Sequence, residues 1–203
     1  MTASDAPEPK TREQATRARR AKIIDAALAC FLEAGFHQTG VRDIAKRAGV
    51  SLGNVYNHFP GKNDILVEIA AMERAALTPF IRLLAEPSPP AAKLNTFVSE
   101  YLRYLTQPHN VVLSIEITRE AIRQPELGAL FLENRAHLAS ALSAVLQRGV
   151  DAGDFRDDLD AVDAAKRLLH LMEAAAFDRA LGPADCAEDP SKLRDFIALA
   201  LRR

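Results

Sequence analysis

Residues 39–59 read TGVRDIAKRAGVSLGNVYNHF, two short helical patterns on either side of a glycine. Val41, Ile44, Ala45 and Ala48 recur at i, i+3, i+4 and i+7, a spacing that gathers apolar side chains on one helical face. Thr39 or Gly40 caps this first helix. Gly49 makes the turn, and Ser51 is a good N-cap for a second helix over about Leu52–Phe59. Pro60 and Gly61 end it. At 100° per residue, Val55 and Phe59 point inward with Leu52 near them, while Gly53, Asn54 and Asn57 project from the opposite face.

Upstream, the spacing predicts a longer helix over about Arg12–Ala34. Ile24, Ala27, Leu28 and Phe31 share a face, and Gly35 stops it as a left-handed cap. Two short helices packed on a longer one make a helix-turn-helix unit. Its outward face suits the major groove of DNA. Asparagine can pair with adenine edges, and glycine lets backbones approach closely. Tyr56 and His58 flank that face with polar tips suited to phosphates. Lys62, at the start of the next helix, is placed to meet a phosphate. Arg17, Arg19 and Arg20 fit phosphate or minor-groove contacts, and equally a solvated helix start.

Charge follows the same division. Residues 1–62 carry ten Lys/Arg against six Asp/Glu, whereas residues 63–203 carry sixteen against twenty-one. A basic head on an acidic body points to a polyanion partner for the head alone. Hydrophobic residues are 48% and charged residues 26% of the chain, ordinary for a globular protein. No apolar run approaches the ~18 residues of a membrane span. The first residues are polar, so a cytoplasmic protein without a membrane partner is expected. Of the two cysteines, Cys30 falls in an apolar helical pattern and Cys186 in a predicted loop.

The stretch AKIIDAALACFLEAGFHQTGVRDIAKRAGVSLGNVYNHFPGKNDIL resembles the N-terminal domain of the tetracycline-repressor (TetR) family. The likeness rests on the A-A…F…G-F opening, the T-x-V-R-D-I-A-x-x-A-G-V-S core and the G-x-x-Y-x-H-F-x-x-K close, over about Ile23–Leu66. It implies an all-α fold of about nine helices. Residues 12–62 would bind DNA, and residues 63–203 would bind a small-molecule effector and dimerise. Carried over position by position, DNA contacts fall on Thr39, Val41, Arg42, Leu52, Gly53, Asn54, Tyr56, Asn57, His58 and Lys62. Gly40 and Asn54 depart from the usual Ser/Thr and Thr, which bears on the operator sequence and not on the mode of binding. The implied function is a transcriptional regulator, a repressor released from a palindromic operator by its effector. Two recognition helices ~34 Å apart would read that operator in a homodimer. An effector that changes their separation disfavours DNA, with coupling of ~1–3 kcal/mol.

The rest of the chain reads as further helices: about 62–85 with a bend near Pro79, 91–106, 108–123, 125–148, 159–181 and 190–201. An acidic loop is expected at 149–158. Phe97, Tyr101 and Tyr104 form a stripe at i, i+4 and i+7 that serves either as core or as pocket wall. Glu116, Arg119, Phe131, His137, His170, Met172 and Phe177 are further candidates for the effector site. Leu168, Leu169, Met172, Phe177, Phe196 and Leu199 are candidates for the dimer interface.

An enzyme is the contrasting reading, and the motifs oppose it. Glu133-x-x-x-His137 and His170-x-x-Glu173 are not the paired Glu-x-x-His of a di-iron bundle. The acidic loop lacks EF-hand ligand spacing. No nucleophile motif or phosphate-cradling loop is present. No metal or cofactor is expected. An activator is the other alternative.

Overall fold

A computed structural model describes residues 12–182 and 190–202. The described residues form nine helices and no strand: α1 Arg12–Ala34, α2 Val41–Ala48, α3 Leu52–His58, α4 Lys62–Ala85, α5 Pro90–Leu105, α6 Pro108–Arg123, α7 Pro125–Asp151, α8 Ala161–Leu181 and α9 Pro190–Leu201. The all-α expectation holds. None of these helices is long and apolar enough to cross a membrane. Packing divides the chain after Ile69, inside α4, and not at its start as residue 62 had suggested. Cys186 lies outside the described residues.

In the first unit, α1 packs on α2 and α2 on α3. Ile23, Ala27, Ile44, Val55 and Ile65 are fully buried, and Phe31 and Phe59 nearly so. Each such large side chain contributes about 1.5–3 kcal/mol by leaving water. Glycine sets both turns: Gly35 and Gly49 have φ of 81° and 61°, a region that costs a side chain. Gly40 is the N-cap of α2, and its N–H donates to Asp43 Oδ2 at 2.8 Å.

The second unit builds its core from α5, α7 and α8 with α9. Leu142, Val145, Leu146 and Ala165 are fully buried. Pro79 sits inside α4, which continues through it. The loop expected at 149–158 is shorter than the sequence suggested. α7 runs on to Asp151 and includes Gly149, which is buried. The reason is Phe155, whose ring occupies the space that a Cβ on Gly149 would need. The turn itself falls on Gly153, at φ 77°. Asp160 then caps α8, accepting from the N–H groups of Val162 and Asp163 at 3.0 Å.

Candidate nucleic-acid interface and effector site

Helix α3 spans only seven residues, too few to be stable alone. Ser51 Oγ accepts from the Asn54 N–H at 3.2 Å, and buried Val55 and Phe59 fasten the inner side. The outer side is small and open. A Cβ on Gly53 would meet no atom within 4 Å. Asn57 is exposed, Tyr56 is half exposed, and Leu52, Asn54 and His58 are partly covered. Val41 and Arg42, in the first turn of α2, are likewise open or partly so.

Two residues expected on this face turn inward. Thr39 is 2% exposed. Its hydroxyl donates to the carbonyls of Gly35 at 2.9 Å and Cys30 at 3.2 Å, closing the turn between α1 and α2. Lys62 places its ammonium on the Phe36 and Thr39 carbonyls, both at 2.7 Å, and 4.4 Å from the Phe36 ring centroid. It holds the entry to α2 from below, a role that spacing along the chain did not reveal.

The cations divide in the same manner. Arg20 donates to the His58 carbonyl at 3.1 Å and to Glu68 at 2.6 Å, and lies 4.3 Å from the Phe59 ring centroid. It therefore fixes the end of α3 and is not a loose phosphate arm. Arg47 is held by Glu33, which depresses the Glu33 carboxyl below its usual value through that hydrogen bond. Arg17 pairs with Glu13. Arg19, Lys22, Arg42 and Lys46 make no ion pair or side-chain hydrogen bond to a described residue. Lys22 Nζ lies 3.6 Å from where a Cβ on Gly49 would stand, over the turn of the motif.

In the second unit the aromatic stripe of α5 is brought together. Phe97 stacks on Tyr101 with centroids 5.3 Å apart, and Tyr101 on Tyr104 at 6.1 Å. Phe80 of α4 meets Tyr101 edge-on at 5.2 Å. Burial pushes the hydroxyl pKa of both tyrosines up. The other candidates do not gather there as a set. Arg119, His137 and His170 face solvent, Glu116, Phe131 and Phe177 are half-buried, and Met172 is sealed in the core. Leu168, Leu169 and Met172 are packed in the core of the second unit, which leaves them no surface for an interface with another copy. Phe196 and Leu199 are 58% and 70% exposed and remain available.

Beside the aromatic row lies a polar cluster that the sequence reading missed. Asn134, 3% exposed, donates to Glu73 Oε2 at 2.8 Å and to the Ala70 carbonyl at 2.9 Å, and accepts from Arg74 Nε at 2.9 Å. Arg74 also pairs with Glu133, and Arg135 with Glu173. Burial raises the Glu73 carboxyl above its usual value, opposed by the Asn134 hydrogen bond and the Arg135 charge. Burial likewise lowers the Arg135 guanidinium. A signal was present: Asn134 interrupts the apolar row Leu127, Phe131, Leu138 and Leu142 on one face of α7. No group of side chains able to hold a metal occurs among the described residues.

Two family models match the chain. Residues 23–69 match bacterial regulatory proteins of the tetR family, and residues 90–202 match the C-terminal domain of BetI-type transcriptional repressors. A fatty acid metabolism regulator protein of Bacillus subtilis is 31% identical over 71% of this chain and 74% of its own. The transcriptional repressor KstR2 of Rhodococcus jostii is 30% identical over 80% of each. Among solved structures, FadR of Bacillus subtilis in complex with stearoyl-CoA superposes with a TM-score of 0.70 at 27% identity, covering 90% of this chain and 97% of that one. FadR of Bacillus halodurans shares the fold, with a TM-score of 0.73 over 98% and 97% of the two chains at 24% identity. With an open-faced recognition helix in the first unit and a helical body in the second, this chain belongs to the tetR family of DNA-binding transcriptional regulators.

Proposed function

We propose that this regulator is a homodimeric repressor that binds a palindromic operator and is released by a small molecule held in its second unit. The carrying observation is the outer face of α3. Gly53, Asn54 and Asn57 present a small neutral surface to base edges, and the uncommitted Arg42 and Lys46 flank it for phosphates. Asn54 Oδ1 is buried and hydrogen-bonded to no described residue. An unsatisfied acceptor costs about 1–3 kcal/mol, and pairing of the reoriented amide with a base removes that cost.

Exposed Phe196 and Leu199 on α9 support the dimer, since apolar side chains of that size gain most by mutual burial. The stearoyl-CoA held by the Bacillus subtilis relative supports an effector in the body. Selection of binding sites from random duplexes by the purified protein tests the reading. An inverted repeat with half-sites about one helical turn apart is expected, and expression of a reporter behind that site should rise when the gene is deleted. Selection of no common sequence, or of an unpaired half-site alone, refutes the palindromic dimer. Lowered expression in the deletion strain refutes repression.

A further inference from the structure

Ser51 and Arg20 hold opposite ends of α3, and the two holds differ in kind. Ser51 adjoins the helix in sequence and caps it locally. Arg20 stands on α1, 38 residues before His58, and divides one guanidinium between two other helices. Its Nη1 donates to the His58 carbonyl at the end of α3, and its Nη2 to Glu68 Oε2 of α4. Its charge lies over the ring of Phe59, the C-cap of α3. The last carbonyls of a helix have no partner within it, and Pro60 has no N–H to offer the His58 carbonyl. A cation is also the favoured charge at that end. A planar fork meets two acceptors and a ring face at once, whereas an ammonium is a point charge.

The Arg20–Glu68 pair contributes position more than stability. The two side chains are 38% and 32% exposed, and an ion pair open to water adds little to folding. The unit is held instead by buried Ile23, Phe31, Ile44, Val55 and Ile65. What the pair does is join α1, α3 and α4 at one point, where the seven-residue α3 has no further turn to steady its end. Asn57, the outward residue nearest this end, is exposed and directly precedes the residue whose carbonyl Arg20 holds. Gly53 and Asn54 lie at the Ser51 end. Glu68 directly precedes Ile69, after which the chain divides, on a helix that continues past that division.

We propose that Arg20 and Glu68 are specificity-determining positioning residues. Without touching DNA, they hold the C-terminal end of α3 so that Asn57 meets its base edge, and they tie that end to α4. This rests on the reading of the outer face of α3 as the base-reading surface, and assigns control of one end of that face to a pair outside it.

The test is competitive titration of the full-length protein and its variants against the operator recovered by selection and its single-base-pair substitutions. Asn54→Ala and Asn57→Ala mark the base pairs that each asparagine discriminates. Arg20→Lys keeps the charge and loses the fork, and Glu68→Ala removes the acceptor on α4. Both should lower discrimination about 3- to 10-fold at the Asn57 base pairs alone, a part of the roughly 5- to 150-fold that a well-made base contact carries. Circular dichroism reports that each variant is folded, and if Arg20→Lys does not fold, Glu68→Ala alone decides. Equal loss on every operator, which a phosphate contact or a general scaffold role gives, overturns the proposal. So does a wild-type profile in the folded variants, a loss at the Asn54 base pairs instead, or the absence of any base pair marked by Asn57→Ala. If Asn54→Ala and Asn57→Ala both leave every base preference intact, the base-reading assignment itself fails, and the proposal with it.

Discussion

Replacing Lys62 by methionine keeps most of the apolar stem and removes the ammonium. Two readings of this residue give opposite outcomes. Sequence spacing made Lys62 a phosphate contact, whereas the structure gives its ammonium two main-chain carbonyls at 2.7 Å and the face of Phe36. A hydrogen bond from a charged donor contributes about 1.5–3 kcal/mol net, and a partly exposed cation–π contact about 0.5–1 kcal/mol. Lys62 is half-buried, so water takes over part of the lost bonding, and a net loss of about 2–4 kcal/mol is expected. Against a total of about 5–15 kcal/mol for a domain, that is a large fraction, and it falls on the turn that presents α2 and α3.

Urea unfolding followed by circular dichroism measures the stability change, and operator titrations at several salt concentrations measure the electrostatic one. The staple predicts a lowered unfolding midpoint and weaker binding to every duplex, with the salt slope unchanged. A phosphate contact predicts an unchanged midpoint and a slope shallower by about 0.9, the contribution of one neutralised phosphate. Observation of the second pattern would falsify the staple argument.

Arg42→Ala and Lys46→Ala should each leave the unfolding midpoint in place and make the salt slope shallower by about 0.9; an unchanged slope removes the residue from the phosphate set. Gly149→Ala drives a methyl into the Phe155 ring and should cost about 1–3 kcal/mol, the range for overpacking, so an unaltered midpoint contradicts the packing described. Glu73 titrates above its usual carboxylate value in the fold, so the neutral acid contributes stability at pH below the unfolded value that is lost as pH rises through the folded one. Glu73→Gln should flatten that decline, and a decline that persists points to another group. Phe196→Glu combined with Leu199→Glu should give a monomer by sedimentation velocity with little change in helicity, whereas a persistent dimer excludes this face of α9 as the contact.

The DNA-binding motif was legible because its determinants are local. The apolar period of α2, the Ser51 cap and the left-handed glycines at 35 and 49 all act within a few residues of one another, and sequence spacing contains that information. What was not legible joins distant positions. Arg20 reaches His58 and Glu68, and Lys62 reaches Phe36 and Thr39; a basic residue near a DNA-binding helix looks the same on paper whether it faces solvent or a carbonyl. Gly149 resembled a loop glycine because glycine usually breaks helices, yet here it is helical to admit the Phe155 ring. The aromatic stripe of α5 was found by its period, but the cluster beside it was not, because Glu73, Asn134, Arg135 and Glu173 come from three helices. Only Asn134 left a trace, as a polar residue in an apolar row.

The inward use of cations bears on how the small recognition helix works. Seven residues cannot carry the nucleation cost of a helix, so α3 owes its shape to what holds its ends. Ser51 holds the first, while Arg20 holds the last through the His58 carbonyl and the Phe59 ring. Lys62 and Thr39 do the same for the start of α2. These side chains spend their hydrogen-bonding capacity within the unit, whereas Arg19, Lys22, Arg42 and Lys46 make no ion pair or side-chain hydrogen bond to a described residue and are the cations left for phosphates on the proposed reading. A rigid, nearly neutral reading face with few surrounding cations favours discrimination over general affinity. Non-specific binding scales with neutralised phosphates, whereas each well-made base contact adds its own increment to specificity. A regulator that must leave its operator on a signal of ~1–3 kcal/mol is served by that balance, because a large sequence-independent term would hold it on DNA whether or not the effector was bound.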